Sequence, residues 1–389
     1  MVEISLFQFS ILSKTLGEKN SEKVAIIAGN GVTLGIIIYC IFFVFGLFGI
    51  DIYLKSQTKD SIILGMGHTY LMICTLFSFG MILFSIYEKL LQSTGKTVYS
   101  TLAMILGAIT NIVLDPILIF EYLGFPVMGI SGAAYATVIG QVVSLLVAMA
   151  LHYRKNKEVK AGLKYMKLQF SVVKQIYVIG VPAIIMQALM SFMTYGVNII
   201  LGSVSVAAVT AYGIYYKTQQ FICFAAFGLR DAITPIVSFN YGMGNQKRVN
   251  EGIKSGIIFI EIVMIAGVVG LQAFANPLVG AFGLSEETAS ICIYATRIIS
   301  TGFLFMGANI AIQGVFQALG CGISSLVVSV LRLLIVPLPV ALVFSKIISM
   351  KQWVWLSFPI GELVAFIVAI TLLMRAKHRV SIILERKGE

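Results

Sequence analysis

The sequence predicts an all-α, polytopic membrane protein. The chain is 58% hydrophobic and only 12% charged, whereas soluble domains are normally about a quarter charged. Its mean hydropathy of +0.95 leaves too little polar surface to face water, so lipid must cover much of it. The apolar runs are long and unbroken, near the roughly 20 residues a helix needs to cross a bilayer. A barrel would show short alternating strands instead.

Taken in order, ten full spans are expected near residues 25–50, 62–90, 98–120, 129–152, 171–201, 205–234, 252–275, 288–318, 323–346 and 352–375, with residues 1–12 reading as the inner half of one more. The formal net charge of +11 does not mark a nucleic-acid binder, because the basic residues sit between apolar runs and near the C-terminus. They alternate with the spans. One set of loops, from Lys14 through the Arg154–Lys174 segment to Lys387, carries 20 Lys and Arg, and the opposite set only Lys55, Lys59, Lys346 and Lys351. Positive charge stays inside, so the first set and the C-terminus are expected to be cytoplasmic. Met1-Val2-Glu3 lacks the basic start of a secretory signal. The five cysteines show no CxxC and no metal-ligand spacing, and they read as small packing residues.

The chain repeats itself at an offset of 225. Ser13, Gly17, Asn20, Val24 and Gly31 recur as Ser238, Gly242, Asn245, Val249 and Gly256, and Gln92, Gly95 and Ser100 recur as Gln317, Gly320 and Ser325. Both copies put the same loop on the same side, so two parallel-oriented bundles related by a pseudo-two-fold along the membrane normal are expected. The expected division is an N-terminal bundle at 1–152, a cytoplasmic linker at 153–170, a C-terminal bundle at 171–376 and a cytoplasmic tail at 377–389. The spans near 171–201 and 205–234 find no complete counterpart upstream, so a six-plus-six architecture is expected with its first one and a half helices missing.

Several segments resemble the multidrug and toxic compound extrusion (MATE) family. Leu12–Asn20 (LSKTLGEKN) resembles the loop after that family's second helix. Asn111–Phe120 (NIVLDPILIF) resembles its helix 5 motif, and Gly129–Ala134 (GISGAA) the start of helix 6. Gly180-Val181-Pro182 is similar to the opening of helix 7, and Pro235–Gly242 (PIVSFNYG) to the end of helix 8. The chain departs from the family at Asp231–Pro235, where a glutamine-rich run is usual. The acidic residue that one branch carries in helix 7 is absent around Met190 and Ser191, and the helix 1 that holds another branch's acidic residue is missing.

The resemblance implies a Na⁺- or H⁺-coupled antiporter that exports amphiphilic, often cationic drugs or toxic metabolites. It implies a multi-pass protein of the prokaryotic inner membrane that works as a monomer, with lipid and small amphiphiles as its only partners. No cofactor, metal or nucleic acid is expected, and no enzyme activity, since no nucleotide-binding, HExxH or GxSxG motif occurs. Ionisable residues within a bilayer are costly and are functional candidates by default. Asp115 follows about 17 residues of its span, Asn111 lies one turn before it on the same face, and Pro116 frees a backbone carbonyl. Together they suit a cation or proton. Glu261, mid-span, is the second coupling candidate. Glu362 reads as packing or a cap, and Arg230–Asp231 as a local ion pair or an inner gate. For substrate, Gln187, Met190, Tyr195 and Asn198 from one span, Tyr216 and Gln219 from the next, and Gln313 further on are expected to line a cavity. A flippase for lipid-linked saccharide precursors and an inactive transporter fragment are the alternatives.

Overall fold

The computed structural model describes residues 2–120, 124, 126–159, 163–347 and 353–388. Among them every regular element is helical. They form α1 (Val2–Gly17), α2 (Ser21–Phe48), α3 (Ile50–Gln57), α4 (Ser61–Leu76), α5 (Phe79–Ser93), α6 (Thr97–Ile119) and α7 (Gly129–Lys155). The second half follows as α8 (Phe170–Gly202), α9 (Val206–Gly242), α10 (Gln246–Gly280), α11 (Glu286–Ser300), α12 (Phe303–Ala318), α13 (Gly322–Val330), a π-helical segment (Leu331–Ile335), α14 (Pro337–Lys346) and α15 (Ser357–Gly388). The chain divides into two compact units, Met1–Ile176 and Tyr177–Glu389.

Among the described residues eight helical segments are each long and apolar enough to cross a membrane, and two bent pairs bring the number to as many as ten. The bent pairs are α4–α5, turning by 45°, and α11–α12, turning by 51°. The sequence read each of these as one continuous span. Hydroxyl side chains satisfy carbonyls at the breaks: Ser78 Oγ donates to Thr75 O at 2.8 Å and Thr301 Oγ1 to Ile298 O at 2.7 Å. Such back-bonding bends helices.

The repeat is written into the backbone. Asn20 caps α2 by accepting from the Lys23 amide at 3.0 Å, and Asn245, 225 residues on, caps α10 by accepting from the Arg248 amide at 3.1 Å. The turns before these caps match too. Lys19 and Gly244 have φ of 57° and 78°, and Gly95 and Gly320 have φ of 75° and 76°. Each is followed by an amide bonded five residues back, as in Asn245 to Asn240 and Cys321 to Phe316, the helix stop that a left-handed residue allows. Ser13 Oγ donates to Ser93 O, and Ser238 Oγ to Ala318 O.

Lys19 is the one non-glycine residue at positive φ among the described residues. The left-handed region costs an L-residue roughly 1–2 kcal/mol, part of which glycine returns through its looser unfolded chain. Lys19→Gly should therefore stabilise the N-terminal unit by about 0.5–1 kcal/mol, read as a higher Tm in detergent. An unchanged or lower Tm would contradict this.

Two segments differ from the sequence expectation. The motif Leu12–Asn20 is helical up to Gly17, leaving only a short turn, because nothing before Gly17 breaks the helix. Residues 377–388, expected as a tail, continue α15. Their Arg, Lys, Ile and Leu side chains are good to fair helix formers, with no Gly or Pro before Gly388. The segment between α7 and α8 is also no free linker. Asn30 of α2 donates to Lys167 O at 3.2 Å and accepts from the Gln169 amide at 2.8 Å, and Thr33 donates to Met166 O at 2.7 Å. Gly29 makes the room, because a Cβ there would run into the backbone of Tyr165.

Each unit has its own apolar interior. In the first, Leu12, Ile27, Leu90, Leu91 and Leu145 are buried together. In the second, Tyr212, Tyr215, Phe303 and Ile310 form one cluster, and Val237, Phe316 and Ala365 another.

Candidate transport site

A cavity opens inside the C-terminal unit. The space in it is about 620 Å³ when the open solvent at its mouth is counted. Helical spacing builds its walls. Met190 and Met193 are three apart on α8, and Tyr216, Gln219, Gln220, Cys223 and Phe227 share one face of α9. Ile299 comes from α11, Met306 from α12, Arg332 and Leu333 from the π-helical segment, and Phe358 and Glu362 from α15. Tyr212 stacks on Phe358 at 5.7 Å between centroids and braces the wall from behind.

The polar centre of this cavity is an ion pair. Arg332 donates to Glu362 Oε1 from Nε at 2.9 Å and from Nη2 at 2.7 Å. Asn309 Nδ2 donates to Glu362 Oε2 at 2.8 Å and to the Glu362 carbonyl at 3.0 Å. The side chains of Arg332 and Glu362 are only 10% and 7% exposed, so the pair has little water to weaken it.

Local sequence explains how these groups meet. Pro337 has no amide to continue the α-helical ladder. The backbone widens by one residue ahead of it, with the Val336 amide bonding to Leu331 O at 3.2 Å. Such π-bulges occur often at functional sites, and this one carries Arg332. Gly361 lets α15 approach: a Cβ on it would stand 3.1 Å from Pro337 Cδ and 3.4 Å from Arg332 O. Glu362, the next residue, thereby reaches the guanidinium.

Of the residues expected to bind substrate, the structure gathers Met190, Tyr216 and Gln219 in this cavity. Gln187, Tyr195 and Asn198 are exposed and lie outside it. Gln313 is buried and donates to Ser329 Oγ at 2.8 Å, tying α12 to α13. Arg230 and Asp231 do form the expected local pair, at 2.8 Å, with the guanidinium 5.1 Å from the Phe227 ring centroid. The reading of Glu362 as packing or a cap misses its partner. Both charges were visible inside apolar runs, but nothing in a sequence joins two residues on different spans.

The coupling candidates lie elsewhere. Asn111 and Asp115 are half-buried on α6, whose close approach to α7 is set by two glycines. A Cβ on Gly107 would stand 2.5 Å from Gly140 O, and one on Gly140 would stand 2.7 Å from Gly107 O and 3.1 Å from Asn111 Cβ. Small residues let helices meet this closely in lipid. Asn111 Nδ2 is buried there without a hydrogen-bond partner among the described residues. Glu261, on α10, turns its carboxylate toward α12, where only glycine fits: a Cβ on Gly307 would lie 2.8 Å from Oε1.

Comparison with known proteins agrees with this architecture. The multidrug export protein MepA of Staphylococcus aureus strain MSSA476 is 26% identical over 378 residues, covering 95% of this chain and 81% of the relative. MepA of Staphylococcus saprophyticus is 25% identical over 371 residues. An outward-facing multidrug resistance MATE transporter of the MOP superfamily superposes with a TM-score of 0.90 at 22% identity, covering 99% of this chain and 85% of its own. A MOP superfamily transporter from Pyrococcus furiosus, described as having a binding pocket of reverse polarity, superposes at 0.89. The MatE family model matches residues 9–117 and 182–343, most of the sequence, and the chain therefore belongs to the MatE family of multi-pass membrane transporters, which are not enzymes.

Proposed function

We propose that this protein is an ion-coupled antiporter that exports amphiphilic organic cations; its MepA relatives are named multidrug export proteins. The cavity of the C-terminal unit carries the proposal. Its walls combine three methionines with Tyr216, Phe227 and Phe358. Thioethers repack around differently shaped guests, and aromatic faces attract organic cations. Gln219 and Gln220 add amides that can turn to suit a donor or an acceptor. The Arg332–Glu362 pair keeps the cavity neutral, so a single positive charge is not repelled from it.

Na⁺ or H⁺ is the coupling ion in this account. Asp115 is the principal site, Asn111 lies one turn before it on the same helix, and Glu261 is a second carboxylate. The 20-to-4 bias of basic residues supports a cytoplasmic C-terminus, and the family and the compact loops support the inner membrane of a prokaryote. In this reading the protein acts as a monomer.

Binding of ethidium to the purified protein, followed by fluorescence anisotropy, tests the cavity. Tyr216→Ala combined with Gln219→Ala should weaken binding by about tenfold, the equivalent of about 1.4 kcal/mol. Gln187→Ala, outside the cavity, should leave it unchanged. Loss confined to Gln187→Ala would move the substrate site elsewhere.

A further inference from the structure

We propose that the same cavity holds a binding site for a soft monovalent metal cation, of the copper(I) or silver(I) class, built on Cys223 and Met306. This goes beyond export of organic cations and does not depend on it. Cys223 of α9 is a free, buried thiol, and its Sγ lies 3.6 Å from Met306 Sδ of α12. With metal–sulfur bonds of about 2.3 Å, a 3.6 Å separation corresponds to a ligand angle of about 103°, near the tetrahedral value. Met190 and Met193 of α8 border the same cavity, and these flexible thioethers are available as further ligands. The lining of the cavity thus holds one thiol and three thioethers, drawn from three helices.

The chemistry of this donor set selects its ion. Thiolate and thioether sulfur prefer copper(I) and its like, while Na⁺ and Mg²⁺ need oxygen. The one carboxylate in the cavity does not compete, because Glu362 already accepts from Arg332 and Asn309. Binding replaces the thiol S–H bond by a metal–thiolate bond and releases the proton to water in the cavity mouth. The cation and the thiolate cancel, so a site already neutral through Arg332 and Glu362 stays neutral. Nothing in the spacing of the cysteines could reveal such a site, since its two closest donors, Cys223 and Met306, arrive from different spans.

Silver(I) is the probe, because it is soft and does not change oxidation state in air. Purified protein carrying Cys40→Ala, Cys74→Ala, Cys292→Ala and Cys321→Ala keeps Cys223 as its single thiol. It should retain one silver ion per chain after desalting against a mild thioether competitor. Adding Cys223→Ala should abolish retention, and adding Met306→Leu should weaken it at least about tenfold. Silver retained equally without Cys223, or held as tightly without Met306, would overturn the proposal, the latter by reducing the site to an isolated thiol. X-ray absorption at the silver edge needs no substitution in the cavity and decides the matter if a variant misfolds. Two or more sulfur neighbours are expected, and one sulfur with only oxygen or nitrogen beside it would overturn the site. Metal retention is read without transport, so its failure leaves the organic-cation reading standing, and loss of ethidium binding leaves the metal site standing.

Discussion

Arg332→Met is expected to destabilise the protein by about 3–5 kcal/mol, because it strands a buried carboxylate without its countercharge. Glu362 is enclosed by α12, the π-helical segment and α15, and its remaining partner, Asn309, supplies an uncharged donor. Glu362→Gln should cost less, since the amide keeps its shape and can still accept from Arg332. The double variant Arg332→Met with Glu362→Leu should recover most of the lost stability, as apolar groups of similar size often replace a buried pair without penalty. Thermal unfolding in detergent, monitored by size exclusion, distinguishes these cases. A single Arg332→Met variant as stable as the parent would show that the pair is solvated in the membrane and does not hold α15 to the bulge.

Asp115→Asn is expected to abolish gradient-driven efflux while leaving folding and ethidium binding intact. The carboxylate lies on α6 in the N-terminal unit and is not among the residues that line the cavity, so its loss should remove coupling and spare substrate affinity. Asn111→Ala should give a partial version of the same defect. Cells expressing each variant at matched membrane levels, loaded with ethidium, give the readout. Normal efflux by Asp115→Asn would shift the coupling role to Glu261, and Glu261→Gln would then be the variant to show the loss.

Much of the fold was legible in the sequence because lipid imposes a simple code. Long apolar runs must be helices, and the lysines and arginines mark the loops between them. The 225-residue offset read from scattered identities reappears as matched caps at Asn20 and Asn245 and matched left-handed turns at Lys19 and Gly244. What escaped was set by tertiary contact. The breaks at Phe77–Ser78 and Thr301–Gly302 carry no proline, and composition alone reads through them. The docking of residues 163–169 on α2 depends on Asn30, Thr33 and Gly29, which look like ordinary helix residues in a row of apolar ones. For the site, the sequence offers Tyr216 and Gln219 as candidate cavity residues, and the structure places both on the cavity wall. The Arg332–Glu362–Asn309 cluster was not legible in this way, because it joins three separate spans. Arg332 stands as a charge within an apolar run, and Pro337 and Pro339 just beyond it are the signal that the backbone there departs from an α-helix.

The central claim, that this chain moves an amphiphilic cation at the expense of an ion gradient, is tested most directly in proteoliposomes. The purified protein is reconstituted, a Na⁺ or H⁺ gradient is imposed in turn, and ethidium movement is followed by its fluorescence on trapped nucleic acid. One of the two gradients should drive ethidium against its own concentration gradient, and Asp115→Asn should abolish that movement. Ethidium flux that is the same with and without either gradient, or no greater than in protein-free liposomes, would contradict the account.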